Sequence, residues 1–129
     1  MGKMNSDEYP LSKLTEKFNG STFKVHNTIG KGFHEKIYEN AIVVEMKKHG
    51  ISVNQQKELK VEYGGKPMGS FIADLLIEES VIVELKAKQS IEKGTEEQLV
   101  DYLIAYGIQV GLINNFGKIV EIKRKIFTK

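Results

Sequence analysis

Phe71-Ile72-Ala73-Asp74-Leu75-Leu76-Ile77-Glu78-Glu79-Ser80-Val81-Ile82-Val83-Glu84-Leu85-Lys86-Ala87 is the stretch that decides the fold. Its first seven residues read as a buried strand interrupted by one charge. Three polar residues, Glu78, Glu79 and Ser80, then turn the chain into a second strand, Val81 to Ala87, which alternates on a two-residue period. With those three residues as the loop, Ile77 pairs with Val81, and Asp74 falls directly opposite Glu84.

Like charges facing each other across a hairpin destabilise it. A carboxylate in an apolar strand costs several kcal/mol unless its charge is compensated. Lys86, two residues beyond Glu84 and on the same face, supplies part of the compensation, and a divalent cation would supply the rest. Two hard carboxylates with room for water suit magnesium or manganese. The competing reading is a cross-strand ion pair of Lys86 with one acid at a solvated edge, which the near-continuous apolar run around Asp74 disfavours.

Outward from the hairpin, residues 1–10 read as a disordered or loosely held tail and residues 11–129 as one domain, a usual size for a single core. Met1 to Ser6 formally match an acylation pattern that a start codon explains equally well. Leu11, Leu14, Phe18, Val25 and Ile29 recur at helical spacing, predicting a helix over about 11–28 that is interrupted near Asn19-Gly20-Ser21. A second helix runs from Phe33 to His49, with Phe33, Ile37, Ala41, Val44 and Met46 as its apolar positions and Gly50 as its stop. The period then changes to two, through Ile51, Val53, Leu59, Val61 and Tyr63 into the turn Gly64-Gly65. With the two acidic strands this makes a three-stranded antiparallel meander. A helix over Thr95–Tyr106, closed by Gly107, precedes a strand from Gln109 to Ile113, a turn around Asn114-Asn115-Phe116-Gly117, and a last strand from Lys118 to about Phe127.

Several side chains stand out on this scaffold. Gly32, Glu35 and Tyr38 fall at intervals of three at the start of the second helix and share nearly one face. Glu35 either complements the helix dipole or brings a third acid to Asp74 and Glu84. Gln98 and Tyr102, four apart, share a face of the third helix. Thr95 and Gln98 fit a capping box, and Tyr102 fits a core position equally well. Lys118, Lys123, Arg124, Lys125 and Lys129 could hold phosphates or simply form a solvated face.

The 129 residues contain no cysteine, which removes disulfides and thiolate metal sites and fits a reducing cytoplasm. His26, His34 and His49 lack zinc-ligand spacing. No apolar run approaches a membrane span, so a soluble, cytoplasmic protein is expected. The net charge of +2 permits nucleic-acid binding without demanding it.

Together these motifs resemble the PD-(D/E)xK nuclease superfamily, and within it the small GxxExxY branch. The matching residues are Gly32-Phe33-His34-Glu35-Lys36-Ile37-Tyr38, Ala73-Asp74-Leu75-Leu76, Glu84-Leu85-Lys86, and Gln98-Leu99-Val100-Asp101-Tyr102, spread over about residues 14–127. Ala73 stands where the superfamily's name places proline. The resemblance implies an α/β, restriction-endonuclease-like core, a mixed central sheet flanked by helices. It implies a Mg2+- or Mn2+-dependent nuclease acting on nucleic acid, DNA in the first place, with no membrane partner and a homodimer left open. Asp74, Glu84 and the Leu85 carbonyl would hold the metal, with Glu35 direct or through water. Lys86 would orient or deprotonate the attacking water. Gln98 and Tyr102 would position water or phosphate, and Tyr38 would contact nucleic acid. The alternative is a non-catalytic nucleic-acid-binding or accessory subunit that keeps the fold.

Overall fold

Eight elements follow one another in a computed structural model that describes residues 11–128: helices α1 (Ser12–Ile29) and α2 (Glu35–Lys48), strands β1 (Val53–Tyr63), β2 (Lys66–Ile77) and β3 (Val81–Lys86), helix α3 (Lys93–Tyr106), and strands β4 (Val110–Phe116) and β5 (Val120–Ile126). The order is the one expected. The tail over 1–10 and its acylation pattern lie outside the described residues.

The strands form one mixed sheet in the order β1-β2-β3-β4-β5. β1, β2 and β3 are the antiparallel meander, and β4 runs parallel to β3 before β5 returns antiparallel. A parallel neighbour needs a crossover, and α3 supplies it. At the β1–β2 turn Tyr63 pairs with Lys66 across Gly64 and Gly65, whose φ of 61° and 76° are those of a two-residue hairpin turn. No helix among the described residues is long and apolar enough to cross a membrane.

Each sheet face buries its own apolar cluster. On one, Phe18, Val25, Tyr38, Ile42 and Met46 of α1 and α2 cover Leu75, Ile77, Val83, Leu85 and Leu112. On the other, Leu99 and Leu103 of α3 cover Leu59, Ala73, Leu76, Ile82 and Ile113. The buried stripe of α2 is thus Tyr38-Ile42-Met46, a period of four. Ile37 and Val44, expected inside, are 44% and 55% exposed. α1 runs unbroken through Asn19-Gly20-Ser21, with Ser21 and Thr22 buried.

The hairpin pairs as expected near its loop, Ile77 with Val81, Leu76 with Ile82 and Leu75 with Val83. There the ladder stops. On the other side of β2 the pairing skips from Gln55–Leu75 to Lys57–Ala73, so Asp74 is unpaired towards both neighbours. Residues two apart along a strand share a face. Yet Phe71 and Ala73 pack on the α3 side while Leu75 and Ile77 pack on the α1/α2 side. β1 makes the same switch, with Val53 on the α1/α2 side and Leu59 on the α3 side. Both strands therefore exchange faces at Gln56 and Asp74, and Gln56 takes the left-handed conformation at φ 49°. That is unfavourable for a residue with a Cβ.

Two local expectations are corrected. Asn114 and Asn115 lie inside β4 and are fully buried, with partners for most of their amide groups: Asn114 Nδ2 donates to Asn19 Oδ1 and Thr22 Oγ1 while its Oδ1 accepts no bond among the described residues, and Asn115 bonds both backbone polar groups of Lys88. α3 begins at Lys93, with Glu92 in the capping position and no side-chain cap, so Thr95 lies within the first turn and the Thr95–Gln98 capping box does not form.

Candidate active site

The exchange of faces opens the ladder where the two acids meet. In place of pairing with Glu84, Asp74 turns its carboxylate into the gap. Its Oδ2 accepts the Leu85 backbone N–H at 2.8 Å. Its Oδ1 accepts from Gln56 Nε2 at 3.3 Å, and the same amide nitrogen donates to Glu39 Oε1 at 2.9 Å. β3 is held on its far side by β4, where Glu84 pairs with Ile113 and Lys86 with Asn115. The acid on β3 is thereby fixed by a parallel strand, while the acid on β2 is fixed by the Leu85 N–H and the Gln56 side chain.

Glu84 is only 8% exposed. Burial, and then the Asp74 carboxylate with which it shares a hydrogen bond, push its carboxyl from 4.5 up to about 8, and the nearby Lys86 charge only partly opposes this. Two carboxylates that cannot both ionise cheaply are a site short of positive charge. From α3, Tyr102 feels both acids: its hydroxyl is raised by burial and by the charges of Glu84 and Asp74, against a hydrogen bond from Gln98. Gln98 is free for that bond because the capping box is absent. Phe71 stacks on the Tyr102 ring, centroids 3.8 Å apart and planes within 8°, which fixes where the hydroxyl stands.

Asp74, Glu84, Lys86, Gln98 and Tyr102 are thus brought together from β2, β3 and α3. Two neighbouring acids on the central hairpin, one of them buried, a lysine two residues on, and a Gln-x-x-x-Tyr face on the helix after it reproduce the expected motif set in space. A model of the PD-(D/E)XK nuclease superfamily matches residues 12–126. The chain belongs to the PD-(D/E)XK nuclease superfamily. No curated protein matches it in sequence.

Among solved structures, the crystal structure of SSO0001 superposes with a TM-score of 0.55 at 14% identity, over 92% of this chain and 61% of that one. The chain therefore spans less than two thirds of that neighbour's length, and the likeness is one of fold. An alkaline exonuclease (LHK-Exo) from Laribacter hongkongensis aligns with a TM-score of 0.47 at 10% identity, over 88% of this chain and 82% of that one.

Two residues expected at the PD-(D/E)XK site, Glu35 and Tyr38, stand elsewhere. Glu35 is exposed in the first turn of α2. Among the described residues no three His, Asp or Glu side chains converge as a metal-binding group, so it does not join the two acids. The acid that α2 does send inward is Glu39, one turn on and 3% exposed, whose carboxylate accepts from Lys36, Gln55 and Gln56. Tyr38 is fully buried: its ring stacks on Phe116 at 4.1 Å and its hydroxyl donates to the Gly30 carbonyl at 2.7 Å, so the expected contact with nucleic acid is not one this side chain makes here. Leu85 meets Asp74 through its N–H, in the backbone linking Glu84 to Lys86.

Sequence reading missed Glu39 and Gln56. The signal for Glu39 was its spacing of four from Glu35, which places it on the same helical face one turn deeper. Gln56 gave none, since its role depends on a left-handed backbone conformation.

The donor set suits a hard divalent cation. Asp74 and Glu84 are adjacent oxygen donors, and the raised carboxyl of Glu84 marks the deficit of positive charge that such an ion would fill.

Proposed function

We propose that this protein is a Mg2+- or Mn2+-dependent nuclease that hydrolyses phosphodiester bonds, with DNA as its first candidate substrate. The observation that carries the reading is half-buried Asp74 standing against buried Glu84, beside Lys86, so that burial and the Asp74 charge push the Glu84 carboxyl up to about 8. Binding alone has no use for clustered acids that repel phosphate.

In this reading Asp74 and Glu84 hold the metal, with the Leu85 carbonyl as the backbone donor between Glu84 and Lys86. Bound there, the metal would make water nucleophilic near neutral pH and offset charge on the phosphate oxygens. Lys86 orients the attacking water or accepts its proton. Water oxygen bonds to phosphorus as the bond to the leaving oxygen breaks, and that oxygen departs with a proton from solvent. Gln98 and Tyr102, held by Phe71, position the water or a non-bridging phosphate oxygen. Glu39, through Gln56, fixes the orientation of Asp74, and Glu35 would enter only through water.

The second reading, a non-catalytic nucleic-acid-binding or accessory subunit, draws on the absence of a gathered third acid. Incubating single-stranded, duplex and branched DNA and RNA with magnesium or manganese separates the two. Cleavage by the wild type that is lost in the Asp74→Ala, Glu84→Ala double variant supports the nuclease. Binding without cleavage in both proteins supports the accessory subunit.

A further inference from the structure

Where β3 and β4 end lies an open cavity of about 400 Å3 that the reading above leaves without a role. Lys31, Lys88 and Lys118 line it together with Gly32, Phe116 and Gly117, and no acid is part of its wall. Ala87 of its wall follows Lys86 directly, so the cavity adjoins the active site along the chain.

Its lysines stand on backbone that buried groups hold still. The Tyr38 hydroxyl accepts the Phe33 N–H at 3.3 Å and donates to the Gly30 carbonyl, clamping both ends of the loop that carries Lys31 and Gly32. Asn115, fully buried, accepts the Lys88 N–H and donates to the Lys88 carbonyl, each at 2.9 Å. His26 Nε2 bonds the Gly117 carbonyl at 2.9 Å, beside Lys118. A Cβ at Gly117 would come within 2.6 Å of the Lys88 carbonyl oxygen, so the two lysine-bearing segments touch backbone to backbone. Lys31 and Lys118 have no acidic partner among the described residues, and Lys88 has only the exposed Glu92 at 3.1 Å, a pair of little energetic weight that an anion could replace.

Three lysines on fixed backbone around one cavity, with one exposed carboxylate near one of them and none in the wall, suit a phosphate group. We infer that this cavity holds a backbone phosphate of the nucleic-acid strand next to the one being cut, so that the strand is registered by Lys31, Lys88 and Lys118 and cleaved at Asp74 and Glu84. The inference rests on the nuclease reading. It gives Gly32 and Tyr38 of the Gly-x-x-Glu-x-x-Tyr segment a joint task, building the wall that presents Lys31. An extended strand is favoured over a small phosphorylated ligand because the cavity is open-sided and its wall continues, through Ala87, the strand that carries Glu84 and Lys86.

The test is binding of fluorescent single-stranded and duplex DNA oligonucleotides in EDTA, by the Asp74→Asn protein with and without Lys31→Ala and Lys118→Ala. Two exposed lysines of α1, changed as Lys13→Ala and Lys17→Ala, give a control of equal net charge. Loss of two lysine contacts to that phosphate predicts binding weaker by about 10-fold at low salt, and a salt dependence shallower by about 1 in log–log slope. The control is expected to bind within about 3-fold of its parent, as charges away from the strand act only through the general field. Equal losses in both double variants, or none in the Lys31/Lys118 variant, would overturn the inference. So would saturation by inorganic phosphate in a protein that binds no oligonucleotide. Because no cleavage is required, a wild type that fails to cut leaves this outcome readable by itself.

Discussion

Asp74 Oδ2 and the Leu85 backbone N–H, 2.8 Å apart, form the bond that replaces the Asp74–Glu84 cross-strand pair and builds the site. A continuous ladder would hold the two carboxylates side by side with nothing between them. Opening it by one step lets Asp74 reach across and satisfy an amide that the ladder has released, while keeping it in hydrogen-bonding range of Glu84. The charge deficit this leaves is the feature from which the following outcomes derive.

Without metal, the protein should lose stability as pH rises. The folded-state pKa of Glu84, about 8, lies above its ordinary value of 4.5, so the folded chain binds that proton more tightly. The resulting stabilisation is fully present below about 4.5 and is lost as pH rises through about 8. Thermal melts in EDTA between pH 5 and pH 9 should show Tm falling across this window. Asp74→Asn should flatten the fall without abolishing it, since burial contributes more than Asp74 to the shift. A wild-type Tm that is constant or rising over this range would contradict it.

A divalent ion should reverse that loss. For a dissociation constant of about 1 mM and about 10 mM magnesium, linkage gives roughly 1.4 kcal/mol. In a domain of this size that is a rise in Tm of about 4–7 °C. Scanning fluorimetry with EDTA, magnesium, manganese and calcium at fixed ionic strength should show the rise in wild type and little of it in the Asp74→Asn, Glu84→Gln double variant. Equal shifts in the two proteins would place the ion elsewhere.

Gln56 offers a test in which backbone and side chain separate. Both Gln56→Ala and Gln56→Gly remove the amide that ties Glu39 to Asp74, and each should lower activity or metal affinity by roughly 10- to 100-fold, the usual cost of losing a group that orients a ligand. At φ 49° only glycine is unstrained, so Gln56→Gly should be more stable than Gln56→Ala by about 1 kcal/mol in urea unfolding. The reverse order would deny the left-handed conformation.

Tyr38→Phe keeps the ring stacked on Phe116 but strips the clamp from the Gly30–Phe33 loop. A loss of about 1–2 kcal/mol is expected. Faster hydrogen exchange at the Phe33 amide would mark the loosened loop, and unchanged exchange there would contradict the clamp.

Much of this was legible in the chain itself. The loop residues Glu78, Glu79 and Ser80 set the register of Ile77 with Val81, because a three-residue loop leaves no other in-phase pairing. Glycines marked the ends of α1, α2 and α3. What escaped depends on partners distant in sequence. Asn114 and Asn115 look like turn residues, yet inside β4 Asn19 and Thr22 take the Asn114 Nδ2 donor, leaving its Oδ1 buried without a partner among the described residues, and Lys88 satisfies the Asn115 amide. Tyr38 looks like an exposed motif residue, but its hydroxyl has two backbone partners on the preceding loop, which allows the whole side chain to be buried. Glu35 and Glu39 share a helical face, and only the approach of α2 to the sheet decides which reaches Gln56. The nearness of Asp74 to Glu84 followed from period alone, but the direct cross-strand pair expected there does not form, because the ladder opens where Gln56 takes an unfavourable conformation.

Single-turnover cleavage of DNA in magnesium by wild type and by Asp74→Asn, with binding measured in EDTA on the same substrate, decides whether the acid pair cuts phosphodiesters. Asn at position 74 can still accept the Leu85 N–H but no longer brings a charge to the metal, so cleavage should disappear while metal-free binding stays equal or tightens as repulsion of phosphate falls. Asp74→Asn cleaving as fast as wild type would contradict the account.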